Sequence, residues 1–283
     1  MKIWLDGKLV DQEDAKVSVF DHGVLYGDGC FEGIRFYSGK IFRLQEHIVR
    51  LFDCMRYLMI ELPWNFDEVC KATEETVAAS GLTDGYIRLV VTRGVGDLGL
   101  NPYNCPKPSM IIIVRDIALY PKEMYENGLS LITSSFRRAN PDVNCQQVKS
   151  LNYLNSISAK IECVHHGAGE ALMLNSVGNV AECTGDNIFI VKDGVVLTPP
   201  ITDGGLGGIT RQAVMDICAE LGIPCVEKTM NRFNVINADE CFLTGTAAEV
   251  IAATSLDGRK IGTGSAGPIT KRILTRYQEL VRE

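Results

Sequence analysis

Apolar and polar positions alternate with two different periods along the chain, and the switches between them mark its elements. "KIWLDGKLV" and "IRFYSGKIF" alternate as strands do and read as hairpins turning at Asp6-Gly7 and Ser38-Gly39. In "RLQEHIVRLFDCMRYLMI", Leu44, Ile48, Leu51, Phe52, Met55, Leu58 and Met59 recur at helical spacing. "NFDEVCKATEETVAASG" predicts a second helix, with Asn65 as N-cap, Glu68 three residues on and Gly81 as its stop. "GYIRLVVTRG" and "SMIIIVRDI" are strands, the second almost continuously apolar and so expected to be buried.

The pattern breaks at "ALYPKEMYENG", where Pro121 and a polar run predict a boundary. A small N-terminal domain over 1–118, a linker over 119–128 and a larger C-terminal domain over 129–283 are expected. The second part reads as a strand at 129–136, then a helix at about 151–166 with an apolar stripe of Leu151, Leu154, Ile157 and Ile161. "EALMLNSVGNVAE" and "NIFIVKDGVVLTPP" follow as strands turning at Val177-Gly178 and Asp193-Gly194. "GITRQAVMDICAELG" is a helix ending at Gly222, "ADECFLTGTAAEVIAATSLDG" is strand-rich, and a last helix begins near Pro268. The fold class is α/β, mixed α+β, in two domains, with no internal repeat.

With 283 residues, 46% of them hydrophobic, the chain can bury a sizeable core. It holds no run of eighteen apolar residues, so no membrane span is expected. Its start offers no apolar stretch with a small-residue cleavage site, so no signal peptide is expected either. A net charge of −7 without a basic block argues against nucleic acid as a partner. Ten cysteines, none in a Cys-x-x-Cys pair, predict free thiols in a reducing compartment. The four histidines form no metal motif.

Three glycine-rich loops need weighing. "GVGDLG" at 94–99 has the form of a dinucleotide loop, but "LNPYNCPKP" follows, and its prolines forbid the helix that a pyrophosphate site needs. It is read as a plain loop, and an oxidoreductase reading fails with it. "DGGLGGITRQAVMDI" is different, because Gly207, Gly208, Ile209 and Thr210 lead straight into a helix whose free N–H groups favour an anion. "FLTGTAAEV" interrupts a strand with Gly245, Thr246 and Ala247. Either loop alone is most simply a turn; together they could grip one phosphate or carboxylate.

Lys149, in "VKSLNYLNSISAKIE", stands where a strand gives way to a helix. As one lysine among many it is most simply a solvated charge. Its context says more. "KSLNYLNSISAKIE", "EALMLNSVGNVAECTGDNIFIVKDGVVLTPP", "GGITRQAV", "LTGTAAEV" and the upstream "DHGVLYGDGCFEGIRFYSGKIFRLQEHIVRL" stand in the order and spacing of the fold-type IV pyridoxal-phosphate enzymes. The chain resembles them over about residues 3–280. The family includes branched-chain aminotransferases, D-amino-acid aminotransferases and aminodeoxychorismate lyase, and the resemblance implies a D-amino-acid-aminotransferase-like fold.

It also implies roles. Lys149 matches the lysine that bonds the cofactor, pyridoxal 5'-phosphate, and then moves the substrate proton. Glu182 matches the carboxylate facing the pyridine nitrogen. Arg43 matches the arginine that clamps the phosphate, and Leu206, Gly208, Ile209, Thr210, Gly245 and Thr246 complete the cofactor's contacts. Tyr153 matches a tyrosine that bonds the cofactor's phenolic oxygen, although in some branched-chain enzymes its spacing from the lysine is one residue longer. Tyr86 and Arg88, in a Tyr-x-Arg arrangement, resemble the branched-chain enzymes. There the tyrosine holds the α-carboxylate with the turn matching Thr246 and Ala247, and the arginine receives the side chain of glutamate. Tyr26 and Phe31 match aromatic residues of the side-chain pocket.

The D-amino-acid enzymes carry an arginine and a histidine on the loop after the "TRG" strand; here that loop reads "GVGDLGLNPYN" and has neither. The expectation is therefore a cytoplasmic branched-chain L-amino-acid aminotransferase, using leucine, isoleucine or valine with 2-oxoglutarate, and forming a homodimer or higher homo-oligomer whose pockets borrow partner residues. D-amino-acid aminotransferase and aminodeoxychorismate lyase are the alternatives within the family. A non-catalytic binding protein on this scaffold would be expected to lack Lys149 or Glu182.

Overall fold

The computed structural model describes residues 1–117 and 120–283, and the chain divides into two compact units. The expected boundary between 118 and 119 lies outside the described residues. The first unit holds Met1–Ile117 together with Val148–Asn152; the second runs to Gln147 and resumes over Tyr153–Glu283.

Unit one is built on an antiparallel sheet. Its strands are β1 (Lys2–Leu5), β2 (Lys8–Asp11), β3 (Gly29–Tyr37), β4 (Lys40–Ile41), β5 (Gly85–Thr92) and β6 (Ser109–Arg115), in the order β2-β1-β6-β5-β3-β4. The two hairpins form as predicted, with left-handed residues at Asp6-Gly7 and Ser38-Gly39. A short helix α1 (His22–Tyr26), which the periodicity did not predict, precedes β3. Helices α2 (Leu44–Leu58) and α3 (Phe66–Ser80) supply Ile48, Leu51, Met55, Val69 and Val77 to a core shared with Ile34, Ile87, Leu89 and Ile112. The predicted cap of α3 is present: Glu68 N–H donates to Asn65 Oδ1 (3.0 Å) and Asn65 N–H to Glu68 Oε2 (2.7 Å).

Alternation in β3 and β5 decides what the second face carries. Ile87, Leu89 and Val91 point into the core, so Tyr86, Arg88 and Val90 point the other way. The register pairs Phe31 with Val90 and Gly33 with Arg88, so Phe31 and Gly33 share that outer face.

The larger unit has a mixed sheet of β7 (Leu129–Thr133), β8 (Glu170–Leu174), β9 (Val180–Cys183), β10 (Asn187–Lys192), β11 (Val195–Thr198), β12 (Cys225–Glu227), β13 (Glu240–Gly245), β14 (Glu249–Leu256) and β15 (Arg259–Lys260). The order is β12-β11-β10-β13-β14-β7-β8-β9, with β15 on β14. Helices α4 (Lys122–Asn127), α5 (Leu154–His165), α6 (Ile209–Glu220), α7 (Arg232–Ile236) and α8 (Pro268–Leu280) accompany it. Among the described residues no helix is long and apolar enough to cross a membrane.

Two expectations need correcting here. The helix after Lys149 begins at Leu154, not 151, because Ser150 and Leu151 are drawn into backbone bonding beside β3. Its apolar stripe is not its buried face. Leu154, Ile157 and Ile161 are 75%, 51% and 53% exposed, while Ser156, Ala159 and Cys163 are buried. Ala159 and Cys163 pack on Ala171 and Met173 of β8, where small side chains let the helix lie close to the sheet.

Candidate active site

In unit one, Lys149 is held against β3 through its backbone. Phe31 N–H donates to the Lys149 carbonyl (3.0 Å), Leu151 N–H donates to the Gly29 carbonyl (3.0 Å), and Cys30 bridges Ser150. Lys149 N–H also donates to Cys54 Sγ at 3.2 Å, which ties the segment to α2. The half-buried Lys149 side chain then turns back over Phe31, with Nζ 4.7 Å from the ring centroid. Arg88 approaches the same ring, its guanidinium carbon also 4.7 Å from the centroid, and donates through Nη2 to Tyr86 Oη at 3.3 Å. Tyr86 in turn lies over Gly33, where any Cβ would collide with its hydroxyl, so glycine there is the condition for the tyrosine's position. Lys149, Phe31, Tyr86 and Arg88, predicted from separate blocks, thus form one cluster of an aromatic wall, a phenol and two cations.

Arg43 stands at the N-cap of α2 in the left-handed region, with φ of 52°. A non-glycine residue there costs roughly 1–2 kcal/mol, and such strain concentrates at functional positions. Tyr26 is set differently from Phe31. It closes α1, packs edge-on to His22 and donates its hydroxyl to the Leu98 carbonyl at 2.5 Å.

Beneath the cluster, on the core side of β3, is a network that the sequence did not reveal. Glu32, wholly buried, accepts from His47 Nδ1 (2.7 Å), Arg50 Nε (2.7 Å) and Arg50 Nη2 (2.8 Å). Burial by itself would raise the pKa of Glu32, but the charges and hydrogen bonds of Arg50 and His47 outweigh it and hold the carboxyl below its usual range. Burial pushes His47 the opposite way, lowering its pKa, with Glu32 partly opposing.

Unit two presents the remaining candidates. Glu182, on β9, accepts at Oε1 from Arg138 Nη2 (2.5 Å) and at Oε2 from Asn187 Nδ2 (3.0 Å) and Leu206 N–H (2.9 Å). Arg138 is itself buried and also donates to Ser156 Oγ (2.8 Å) and the Cys183 carbonyl (3.0 Å). Neither Arg138 nor Asn187 was predicted; both lie on no recognisable motif of charge or spacing. Asn187 also donates to the Leu206 carbonyl (2.9 Å), so the predicted loop of Leu206, Gly208, Ile209 and Thr210 hangs from the same group as Glu182. Gly208 lies so near Asn187 Oδ1 that a Cβ would not fit. It caps α6 without a side-chain bond, and the first-turn N–H groups of the helix have no intrahelical acceptor. Thr210 is buried at that end. Tyr153 is half-buried and sits at the N-cap of α5.

Gly245, Thr246 and Ala247 form the turn from β13 into β14. A Cβ on Gly245 would collide with Asp186, which lies against it. Asp186 belongs to a buried acidic pair: Tyr120 Oη donates to Asp186 Oδ2 (3.2 Å) and to Glu170 Oε2 (3.3 Å). Lys160 Nζ (3.2 Å) and Thr184 Oγ1 (2.6 Å) also donate to Glu170. Burial, reinforced by the charge of Glu170, pushes the Asp186 carboxyl up to about 7.

The sequence model of the amino-transferase class IV family matches residues 29–256. The chain belongs to this family. A protein of Methanocaldococcus jannaschii is 49% identical over 280 residues, covering 99% of this chain and 96% of its own length. The branched-chain-amino-acid aminotransferase of Pseudomonas aeruginosa is 42% identical over 99% of this chain and 92% of its own. Among solved structures, the branched-chain amino acid aminotransferase of Escherichia coli superposes with a TM-score of 0.96, at 37% identity, covering 99% of this chain and 94% of that one. The fold is thus that of the fold-type IV aminotransferases, and this class IV chain is an aminotransferase.

Proposed function

We propose that this class IV aminotransferase takes branched-chain L-amino acids to their 2-oxo acids and returns the amino group to 2-oxoglutarate, giving L-glutamate, with pyridoxal 5'-phosphate as cofactor. The observation that carries this reading is the Phe31 cluster. Its ring offers an apolar surface for a leucine, isoleucine or valine side chain, and Arg88 beside it offers a cation for the side-chain carboxylate of glutamate. One pocket then suits both half-reactions. The loop over 94–104 holds no arginine or histidine, which supports the L-amino-acid reading over the D-amino-acid one.

The residues fit the cofactor by their donor chemistry. On unit two, the N–H groups at the start of α6 and the turn at Gly245–Ala247 suit a phosphate, and two of the glycines there leave no room for a Cβ; on unit one, the Arg43 guanidinium is chemically suited to the same kind of group. Tyr153 would bond the phenolic oxygen. Glu182 would face the pyridine nitrogen, its carboxylate fixed by Arg138, Asn187 and Leu206. When bound, pyridoxal 5'-phosphate supplies the electron sink for the substrate's Cα–H bond. Lys149 Nζ would take the proton from Cα as general base and pass it on as general acid to the cofactor's C4′ rather than back to Cα, and would carry it the other way in the second half-reaction. Tyr86 on unit one, and Thr246 and Ala247 on unit two, are each assigned to the α-carboxylate by the resemblance to the branched-chain enzymes.

A homodimer or higher homo-oligomer is part of the reading. Leu154, Ile157, Ile161 and Val164 expose an apolar stripe on α5, and Val19, Phe20, Val24, Leu98 and Leu100 expose apolar side chains on unit one. The ten free cysteines support a reducing, cytoplasmic setting.

The test is the visible spectrum of the pyridoxal-phosphate-loaded protein during addition of L-leucine. Loss of the yellow band with release of the leucine-derived oxo acid is expected. A yellow protein indifferent to L-leucine would move the assignment to D-amino acids or to the lyase reaction.

A further inference from the structure

Helix α2 carries a polar line on its inward face. His47, Arg50 and Cys54 stand at i, i+3 and i+7, so their side chains leave the helix on one side. The first two grip β3 through Glu32. The third, 3% exposed and set in the core with Ile34, Leu51 and Met55, accepts the Lys149 N–H at Sγ. One face of one helix thus holds both β3 and the segment that carries the lysine.

The backbone of Lys149 is held from two sides. Its carbonyl accepts from Phe31 N–H on β3 (3.0 Å), and its own N–H donates to Cys54 on α2 (3.2 Å). These two groups flank Cα. Fixing both sets the two torsions about that atom, and with them the direction in which the side chain leaves the backbone. The neighbours secure the rest of the segment: Val148 packs on the same core, Ser150 bridges Cys30, and Leu151 N–H reaches the Gly29 carbonyl (3.0 Å). Without the bond to Cys54 the segment would still lie along β3, but it would be freer to swivel about that line of bonds. The thiol itself is quiet. Burial pushes its pKa up, with the Lys149 N–H opposing, so the sulfur serves as a neutral acceptor and not as a nucleophile. Serine would offer an oxygen acceptor on the same stem, and alanine would offer none.

We propose that Cys54 is a positioning residue for the reaction: by holding the Lys149 N–H it aims the amine at the substrate's Cα, a role that rests on the reading of Lys149 as the proton carrier. Proton transfer is steep in distance, and a misplacement of about 1 Å costs up to about 100-fold in rate. Tyr86 and Arg88 sit on β5, away from this bond, so the substrate contacts assigned to them do not depend on it. The effect of losing Cys54 is therefore expected in kcat and not in KM.

The loaded native enzyme is compared with Cys54→Ala, Cys54→Ser and Leu51→Ala, the last of which opens a cavity in the same core without removing an acceptor. Borohydride reduction and peptide mapping of the native protein come first. A phosphopyridoxyl group on any lysine other than Lys149 would overturn the reading of Lys149, and the role of Cys54 with it. With the group on Lys149, Cys54→Ala should lose on the order of 10-fold in kcat with the native enzyme's best amino donor, while KM stays within about twofold. Amide hydrogen exchange over residues 148–152 should quicken in the same variant. Cys54→Ser should restore both. Leu51→Ala should melt earlier than Cys54→Ala and still keep the native kcat. A native kcat or native exchange in Cys54→Ala, a Cys54→Ser as impaired as Cys54→Ala, or an equal loss of kcat in Leu51→Ala would overturn the role of Cys54.

Discussion

Arg138 and Glu182 form an ion pair at 2.5 Å, and both side chains are almost wholly buried. Glu182 Oε2 is also engaged, by Asn187 and Leu206, so the pair is part of a network rather than an isolated buried charge, and only Arg138 Nε among the pair's polar atoms is buried without a hydrogen bond. Removing the arginine leaves the buried Glu182 carboxylate its hydrogen bonds from Asn187 and Leu206 but no opposite charge. Arg138→Leu should therefore lower stability by about 3–5 kcal/mol. Chemical denaturation of the purified variant measures it, and a loss under about 1 kcal/mol, the scale of a single ordinary hydrogen bond, would mean that Asn187 and Leu206 hold Glu182 without the arginine.

Arg88 offers a cation to one substrate class and only its stem to the other. Arg88→Ala should cut kcat/KM for 2-oxoglutarate by on the order of 10- to 100-fold, as loss of a charge-assisted hydrogen bond does. Branched-chain oxo acids should lose much less. Equal losses on both would refute a selective role for the arginine.

Asp186 gives a pH dependence whose sign follows from its raised pKa. The unfolded carboxyl titrates near its ordinary value of about 3.9, and the folded one near about 7. Between these the folded state holds the extra proton, so its stability falls as pH rises and levels off above the folded value. Asp186→Asn should flatten that slope in thermal melts between about pH 5 and 8. The groups facing Asp186 are Glu170, Tyr120, Lys160 and Glu182, and all remain in the variant. His47, lowered by burial, titrates in both proteins, so the difference between their curves isolates Asp186. Parallel curves would assign the slope elsewhere.

The exposed stripe on α5 predicts an assembly defect. Burying an isoleucine contributes about 1.5–3 kcal/mol, and a glutamate in its place would also put charge into an apolar contact. The double substitution Ile157→Glu, Ile161→Glu should therefore shift the protein towards monomers in light scattering. An unchanged mass would rule this stripe out as the contact face.

Much of the fold was legible because its signals are local. Hairpin turns at Asp6-Gly7 and Ser38-Gly39, the Asn65–Glu68 cap and the Gly222 stop each announce themselves within a few residues. The buried face of α5 was not legible, because the hydrophobic stripe of a helix marks its buried face only where the contact has room for large side chains. There the contact demands small residues, Ser156, Ala159 and Cys163, and the large apolar ones are left outside. The Phe31 cluster was legible one residue at a time through resemblance, whereas its shared ring emerged only once β3, β5 and the Lys149 segment were aligned. Arg138 and the trio of Glu32, His47 and Arg50 were not legible, since they are joined only by tertiary folding and no short spacing marks an ionic network.

The discontinuity of the first unit bears on how this protein is made. Domains tend to fold in the order in which they leave the ribosome. The sheet of β1–β6 is complete in sequence by Arg115, but Val148–Asn152, which the unit also contains, is synthesised only after the chain has begun the second unit. The amine that would perform the chemistry thus arrives late, as the last segment added to a sheet already translated. A nascent chain stopped before residue 148 would carry Phe31, Tyr86 and Arg88 in place and no lysine among them, so the half-made enzyme is born inert.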